Sequence, residues 1–183
     1  MRATAVIVIT DGFEEIETIT PLDILRRGNV DVTLVGYNSR TVIGAHNISL
    51  QTDVTLNEIL TKVYDCLILP GGPGCYNMRG NNDLLSFIKT HVQKHKLICA
   101  ICAAPLILND TGVLQGKRYT AHPCTYNELS NVVTEPVVVD GNLITGAGPG
   151  ASAQFGLTIL NHLTDTQNTH LVANSMLYRE KFL

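Results

Sequence analysis

Apolar runs too short for helices recur along the chain and alternate with stretches whose apolar positions fall at helical spacing. The first run, residues 3–9 (ATAVIVI), predicts a buried strand closed by the Asp11-Gly12 turn. Residues 13–27 turn helical, with acids in the first turn and Arg26 and Arg27 in the last, as the helix dipole prefers. A strand over 29–36 follows, then a turn-rich loop over 37–53 holding one or two short hairpin strands. Next come a short helix over 54–63 and a buried strand over 64–69, closed by Pro70-Gly71-Gly72-Pro73-Gly74. Residues 82–95 predict an amphipathic helix on Leu84, Leu85, Ile88 and Val92. The run 97–101 (LICAI) reads as the central strand, and Pro105 suits the first turn of a helix that ends near Gly112. A strand over 118–121 stops at His122-Pro123, and a short helix covers 124–129. Strands over 132–139 and 142–145 are joined by Asp140-Gly141, a good hairpin turn. The glycine-rich loop 146–150 leads into helices over 151–163 and 166–178.

Strands alternating with helices define an α/β chain with a mostly parallel sheet. No repeat, low-complexity tract or linker divides it, so residues 1–183 read as one domain.

At 45% hydrophobic and 16% charged the chain is globular rather than disordered. A net charge of −3 leaves no basic footprint for nucleic acid and no polybasic membrane patch. The acids Asp11, Glu14, Glu15 and Glu17 directly follow the first apolar run, so a signal peptide is not expected, and no run reaches membrane-spanning length. The five cysteines (Cys66, Cys75, Cys99, Cys102, Cys124) have no regular spacing, which argues against a disulfide framework and for a reducing, cytoplasmic setting.

In a doubly wound sheet the site lies outside the carboxyl ends of the strands. Four features fall there: residues 11–17, the loop 70–74, Cys102 and His122. Cys102 sits at a strand-to-helix bend that would present its sulfur beside a helix N-terminus, where the dipole favours the thiolate. The alternative is a small buried hydrophobe. Glu17 shares a helical face with Thr20, Pro21 and Ile24, an odd place for a solvated charge. Pro21 removes the N–H that would bond the Glu17 carbonyl, which predicts a perturbed helix there. A buried Glu17 would have a raised pKa and could donate a hydrogen bond to a thiolate; the alternative is a paired interior acid. Glu14 and Glu15 read as ordinary first-turn carboxylates. The glycines at 71, 72 and 74 permit close backbone approach to a ligand or a plain turn, and no phosphate-loop motif accompanies them. Ala147-Gly148-Pro149-Gly150 reads as close packing under a helix start. His122 suits an acid/base or orienting role, whereas His46, His91, His95, His162 and His170 read as surface or loop residues. A metal site from His122, Cys124 and Cys102 has no supporting ligand spacing, so no metal is expected.

Taken together, Glu14-Glu15-Ile16-Glu17-Thr18, the segment 63–72 (VYDCLILPGG), the segment 100–105 (AICAAP), His122-Pro123 and Gly148-Pro149-Gly150 resemble the ThiJ/PfpI superfamily. Within it they are similar to the DJ-one branch, named for a human parkinsonism-associated protein, and to its YajL-type members. The resemblance implies a flavodoxin-like three-layer sandwich, usually a homodimer. It also implies that Cys102 is the nucleophile, that Glu17 is the carboxyl bonded to it and that His122 lies nearby. The N–H groups of Gly72 and Ala103 would form an anion hole. Members are described as cofactor-independent glyoxalases, as deglycases acting on early methylglyoxal or glyoxal adducts, and as peroxide sensors or redox-regulated chaperones. Two functions are therefore in play: a cysteine enzyme on 2-oxoaldehydes or glycated adducts, requiring no cofactor, and a cysteine-based oxidative-stress sensor or redox-regulated chaperone without significant turnover.

The chain also departs from the family pattern. Ala104 stands where many relatives carry glycine, as in the YajL-type branch, and His46 falls near an arginine of the human member. The extra C-terminal helix of that member is expected to be missing, since the sequence closes on Phe182-Leu183. Cys75 and Cys124 stand near the site as candidate resolving thiols. Protease-like relatives place histidine directly after the cysteine, where this chain has Ala103, and the late His-x-Glu pair of glutamine amidotransferases does not occur.

Overall fold

A strand covered on both faces by helices must be apolar on both. In the computed structural model, which describes residues 2–180, β1 (Thr4–Ile9), β6 (Cys66–Leu69) and β7 (Leu97–Ile101) meet that condition and form the buried centre. They join β2 (Asp31–Gly36), β5 (Val54–Thr55), β8 (Val137–Asp140) and β9 (Leu143–Gly146) in one sheet of order β5-β2-β1-β6-β7-β9-β8. All pairings are parallel except β8 with β9. The five inner strands thus follow the flavodoxin-like order, as the family resemblance implied. Right-handed crossovers put α1 (Glu15–Arg27) on one face and α3 (Asn82–Gln93) on the other. Helix α4 (Pro105–Asp110) packs with α3, and α5 (Ser152–Leu163) packs on α1 with α6 (Thr166–Ser175) beyond it. No helix among the described residues is long and apolar enough to cross a membrane.

The expected hairpin inside 37–53 is β3 (Thr41–Ile43) with β4 (Ser49–Gln51). It is stitched onto the loop after β1: Gly12 N donates to Ile43 O at 2.7 Å and Ala45 N to Phe13 O at 2.8 Å.

Several expectations change. The helix over 54–63 is instead the edge strand β5 and one 3-10 turn, Leu56–Glu58. The β-branched pair Val54-Thr55 finds partners on β2, and Glu58 accepts from the Thr55 N–H and hydroxyl. Residues 118–121 do not form a ladder, because side chains take their amides: Arg118 N donates to Asp140 Oδ2 and Thr120 N to Thr145 Oγ1, both at 2.9 Å. One bridge, Tyr119 to Val132, remains. The strand over 132–139 begins only at Val137, behind Pro136, which has no N–H to donate. The helix over 124–129 shrinks to a 3-10 turn, Pro123–Thr125, and a one-turn helix, α2 (Cys75–Met78), follows the glycine loop without having been foreseen. Helix α6 stops at Ser175 because Leu177 is left-handed (φ 57°), with Tyr178 N returning to Ala173 O. His91 is not a surface residue. It is fully buried, with Nε2 accepting from Tyr64 N at 3.0 Å and Nδ1 bonded to Phe87 O at 2.8 Å. Phe182 and Leu183, which carried the expectation about a C-terminal helix, lie outside the described residues.

Helix α1 is the platform that carries Glu17. It runs without a break through Pro21, so the perturbation expected at Glu17 does not interrupt it. Its inner face packs on α5, where Gly156 brings the backbones close: a Cβ there would stand 3.0 Å from Ile24 Cδ1. Truncating Ile24 to alanine should therefore cost about 2–5 kcal/mol in urea unfolding. Cys102 reactivity should be unchanged, because Ile24 sits on the helix wall and not at the sheet's carboxyl edge.

Candidate active site

Connections from β1 and β6 leave the sheet toward opposite faces, so a crevice opens between their carboxyl ends. The loop entering α1 and the loop 70–74 border it, and Cys102 closes it from the end of β7. Three of the predicted features therefore converge because of strand order. His122 joins through the backbone, its N–H donating to the Cys102 carbonyl at 2.9 Å.

Cys102 is held in a left-handed conformation (φ 64°), which residues with a side chain, asparagine, aspartate and histidine apart, seldom adopt. Its N–H donates to Gly146 O at 2.9 Å, so both backbone polar groups are anchored, one to β9 and one to the His122 segment. The strand cannot continue, the chain reverses through Ala103 and Ala104, and Pro105 opens α4. The side chain is 9% exposed.

Glu17 is fully buried. Glu14 caps α1, its Oε2 accepting from Glu17 N at 2.8 Å, which turns the Glu17 side chain inward beneath the glycine loop. There Oε2 accepts from Gly71 N at 2.8 Å, while Oε1 is buried with no hydrogen-bond partner. Gly71 is required by space: a Cβ would stand 2.7 Å from Glu17 Oε2 and 2.8 Å from Cys102 Cβ. Gly72 is left-handed (φ 92°), and a side chain there would collide with Gly12 O.

The electrostatics are those of two acids in a dry pocket. Burial pushes the Glu17 carboxyl up to about 7, and the neighbouring Cys102 thiol and the Gly71 amide hold it from rising further. Burial also pushes the Cys102 thiol well above its ordinary range, with the neighbouring Glu17 charge adding to it. The amides of Gly72 and Ala103 act on the sulfur in the opposite direction. Sequence reasoning expected the helix dipole to favour the thiolate. Burial and the Glu17 carboxyl act against that thiolate, and the Gly72 and Ala103 amides act for it.

His122 Nδ1 accepts from Cys124 N at 3.2 Å, which requires a lone pair on that nitrogen and puts the proton of the neutral ring on Nε2. Cys75 is buried, donates from Sγ to Gly72 O at 3.0 Å, and is pushed up to about 12 by burial and then by Glu17. Cys124 is exposed, and all five cysteines are unpaired. His46 does not reach the crevice. Its Nδ1 lies 2.8 Å from Glu15 Oε2, which raises its pKa. Glu14, Glu15 and His46 are the one group of potential metal ligands that the described residues bring together, and the set His122, Cys124 and Cys102 is not such a group. Sequence reasoning missed the Gly71 amide and the Gly146 carbonyl. Glycine content marked both loops, but only the fold shows which glycine faces Glu17.

A cysteine at a left-handed elbow, beside a buried carboxyl at the switch point of a flavodoxin-like sheet, defines a class of α/β cysteine proteins. The DJ-1/PfpI family model matches residues 3–162, and the chain belongs to that family. It is similar to the crystal structure of Drosophila melanogaster DJ-1beta, with a TM-score of 0.95 and 32% identity over 98% of this chain and 100% of that one. A Caenorhabditis elegans protein named a glutathione-independent glyoxalase is 30% identical over 92% of each chain. A Pyrococcus abyssi protein named a deglycase is 30% identical over 79% of this chain and 89% of its own.

The raised carboxyl has a stability signature. Between about 4.5, its ordinary value, and about 7, native Glu17 keeps a proton that the unfolded chain has released. Raising the pH through that window therefore favours unfolding, by roughly 3 kcal/mol at the upper end. Urea midpoints at pH 5 and pH 8 should show Glu17→Gln gaining on the wild type at pH 8. An equal difference at both pH values would mean that Glu17 titrates normally.

Proposed function

We propose that the chain is a cofactor-independent glyoxalase or deglycase-type enzyme that uses Cys102 on 2-oxoaldehydes or their early adducts. One observation carries this reading: a presented thiol shares a dry pocket with a carboxyl poised near neutrality, the pKa range suited to a general base. The names of the C. elegans and P. abyssi relatives agree with it.

Cys102 sulfur bonds to the aldehyde carbon while the Glu17 carboxylate takes the thiol proton. The developing oxyanion is held by the Gly72 and Ala103 N–H groups and then receives that proton, giving a hemithioacetal. Glu17 next removes the hydrogen from the former aldehyde carbon, forming an enediol, and returns a proton to the adjacent carbon. His122 Nε2–H gives its proton to the oxygen on that second carbon as the enediol forms, and the ring then takes the hydroxyl proton from the former aldehyde carbon as that carbon becomes the thioester carbonyl. The product is a 2-hydroxyacyl thioester, which water cleaves to the 2-hydroxy acid and free Cys102. Isomerisation and hydrolysis together balance without an external oxidant or reductant.

A second reading rests on the orphaned Glu17 Oε1. Protonated, it would donate to a Cys102 sulfinate, formed as two peroxide molecules each give one oxygen to sulfur and leave as water. The chain would then act as an oxidative-stress sensor.

With methylglyoxal as substrate, Cys102→Ser should abolish lactate formation, and Glu17→Gln should lower kcat by about 100-fold or more. Wild-type protein without turnover, yet gaining two oxygens on Cys102 at low peroxide by mass spectrometry, would move the assignment to the sensor.

The expected homodimer has a suitable face. Ile16 and Ile19 of α1 and Ile43 and Ile48 of the hairpin are 52, 38, 51 and 50% exposed, on segments joined by backbone hydrogen bonds. Sedimentation of Ile16→Lys/Ile43→Lys should give a monomer if two copies meet there, and an unchanged mass would place any interface elsewhere.

A further inference from the structure

The three segments that meet at Cys102 are irregular on their outer side. The glycine loop runs into α2, a single turn too short to sustain itself. Helix α4 has six residues, and the His122 segment contains only a 3-10 turn. One side chain joins all three. Arg79, at the C-cap of α2, forms a two-pronged pair with Asp110: Nε to Oδ2 at 2.9 Å and Nη2 to Oδ1 at 2.8 Å. Its Nη1 donates to Glu128 Oε2 at 2.7 Å. Asp110 is the last residue of α4, the helix that Cys102 leads into. Glu128 lies in the turn after His122, its N–H donating to Thr125 O at 2.9 Å. The cluster lies at the surface, with the Arg79 and Asp110 side chains 24% and 21% exposed and that of Glu128 39%, so its specificity comes from the two-pronged geometry rather than from burial.

We infer that Arg79 is a positioning residue: its fork to Asp110 and Glu128 locks the Gly72 loop, the Cys102 elbow and the His122 segment into one arrangement. This rests on the reading of Cys102 as the reactive group. The strands below are held by backbone ladders and need no such tie. Buried Cys75 and Met78 anchor the inner side of α2, but its exit at Gly80, left-handed (φ 70°) with open space around its Cα, has no such packing, and the fork holds that end. Releasing the fork frees the Cys75–Met78 turn to move. Gly72 O, which accepts from Cys75 N at 3.2 Å and Cys75 Sγ at 3.0 Å, would then shift, taking the neighbouring Gly72 amide off the Cys102 sulfur. Groups that face the sulfur would keep their identity and lose their alignment.

The test compares Arg79→Gln, Arg79→Lys and Glu128→Gln with the wild type in two assays. One is the pH profile of Cys102 alkylation by iodoacetamide, where Glu17 from α1, Cys75 from α2 and His122 are the titratable neighbours. The other is methylglyoxal turnover. Arg79→Gln should lower kcat about tenfold or more with KM changed much less, because misalignment acts on the reacting groups. It should also move the alkylation profile to higher pH. Lysine keeps the charge without the fork and should recover only part of both effects, and Glu128→Gln, which leaves the Asp110 prongs intact, should fall between lysine and wild type. Near-UV circular dichroism checks that each variant is folded, and Glu128→Gln, the mildest change, keeps the test open should Arg79→Gln unfold. An unchanged alkylation profile in folded Arg79→Gln overturns the inference. Wild-type protein without turnover but with a profile shifted by Arg79→Gln would remove the glyoxalase reading and leave the positioning role standing.

Discussion

At the end of β7 the chain takes a left-handed turn at a residue with a side chain, a conformation that costs roughly 1–2 kcal/mol for a non-glycine residue. It persists because both backbone polar groups of Cys102 are already committed, to Gly146 O on one side and to His122 N on the other. Relaxing φ would break a bond to β9 and release the backbone link to the His122 segment. That one torsion explains much around it. It ends the strand, aims Cβ at the space beside Gly71, and makes a glycine obligatory there, since a methyl would stand 2.8 Å from it. The strain is local and overdetermined, the condition under which such conformations are found at functional sites.

The same corner is also electrostatically unusual. Glu14, Glu15 and Glu17 enter α1 together and are all buried, yet each has a different occupation. Glu14 caps α1 through the Glu17 N–H, and Glu15, though buried, is paired with His46 and held below the ordinary carboxylate range by those hydrogen bonds. Glu17 receives one amide and nothing on Oε1, so burial dominates and its proton is retained to near neutrality. The neighbouring carboxyls thus differ in what they meet: Glu15 has two donors from His46, whereas Glu17, the most deeply buried of the three, has one amide and lies beside the thiol.

The central strands β1, β6 and β7 were legible in the sequence because they are buried on both faces and read as uninterrupted apolar runs, whereas the edge strand β5, only partly buried, read as helix. The parallel order followed from the alternation with helices, and Cys102, Glu17 and His122 were legible as residues standing at strand ends. The ionisation state was not. A helix N-terminus beside a cysteine is visible in sequence, but the length of that helix and a buried carboxyl facing the sulfur are properties of the fold. Residues 118–121 look like a strand by composition, and their amides go to Asp140 and Thr145 side chains that no local pattern reveals. His91 looked like a surface residue because its helix is amphipathic. Its ring instead fills the gap between Phe87 and Tyr64, with both nitrogens bonded.

These features divide the molecule into two kinds of structure. The strand ladders satisfy their own backbone polar groups, and they and the α1–α5 contact bury apolar side chains. The carboxyl edge carries the costs: left-handed residues at Gly12, Gly72 and Cys102, an unpartnered carboxyl oxygen, and loops held by single turn contacts instead of ladders. Such an edge keeps its shape only if it is tied from both sides. From below, the strands and α1 hold Cys102 and Glu17 against Gly71. From above, where no strand reaches, long-range polar contacts do the same: the hairpin bonded to Gly12 and Phe13, and the Arg79 fork across α2, α4 and the His122 turn. The reactive geometry is thus a property of the whole edge, because the groups that aim the sulfur lie on separate segments that are brought into register at Cys102 and by these ties.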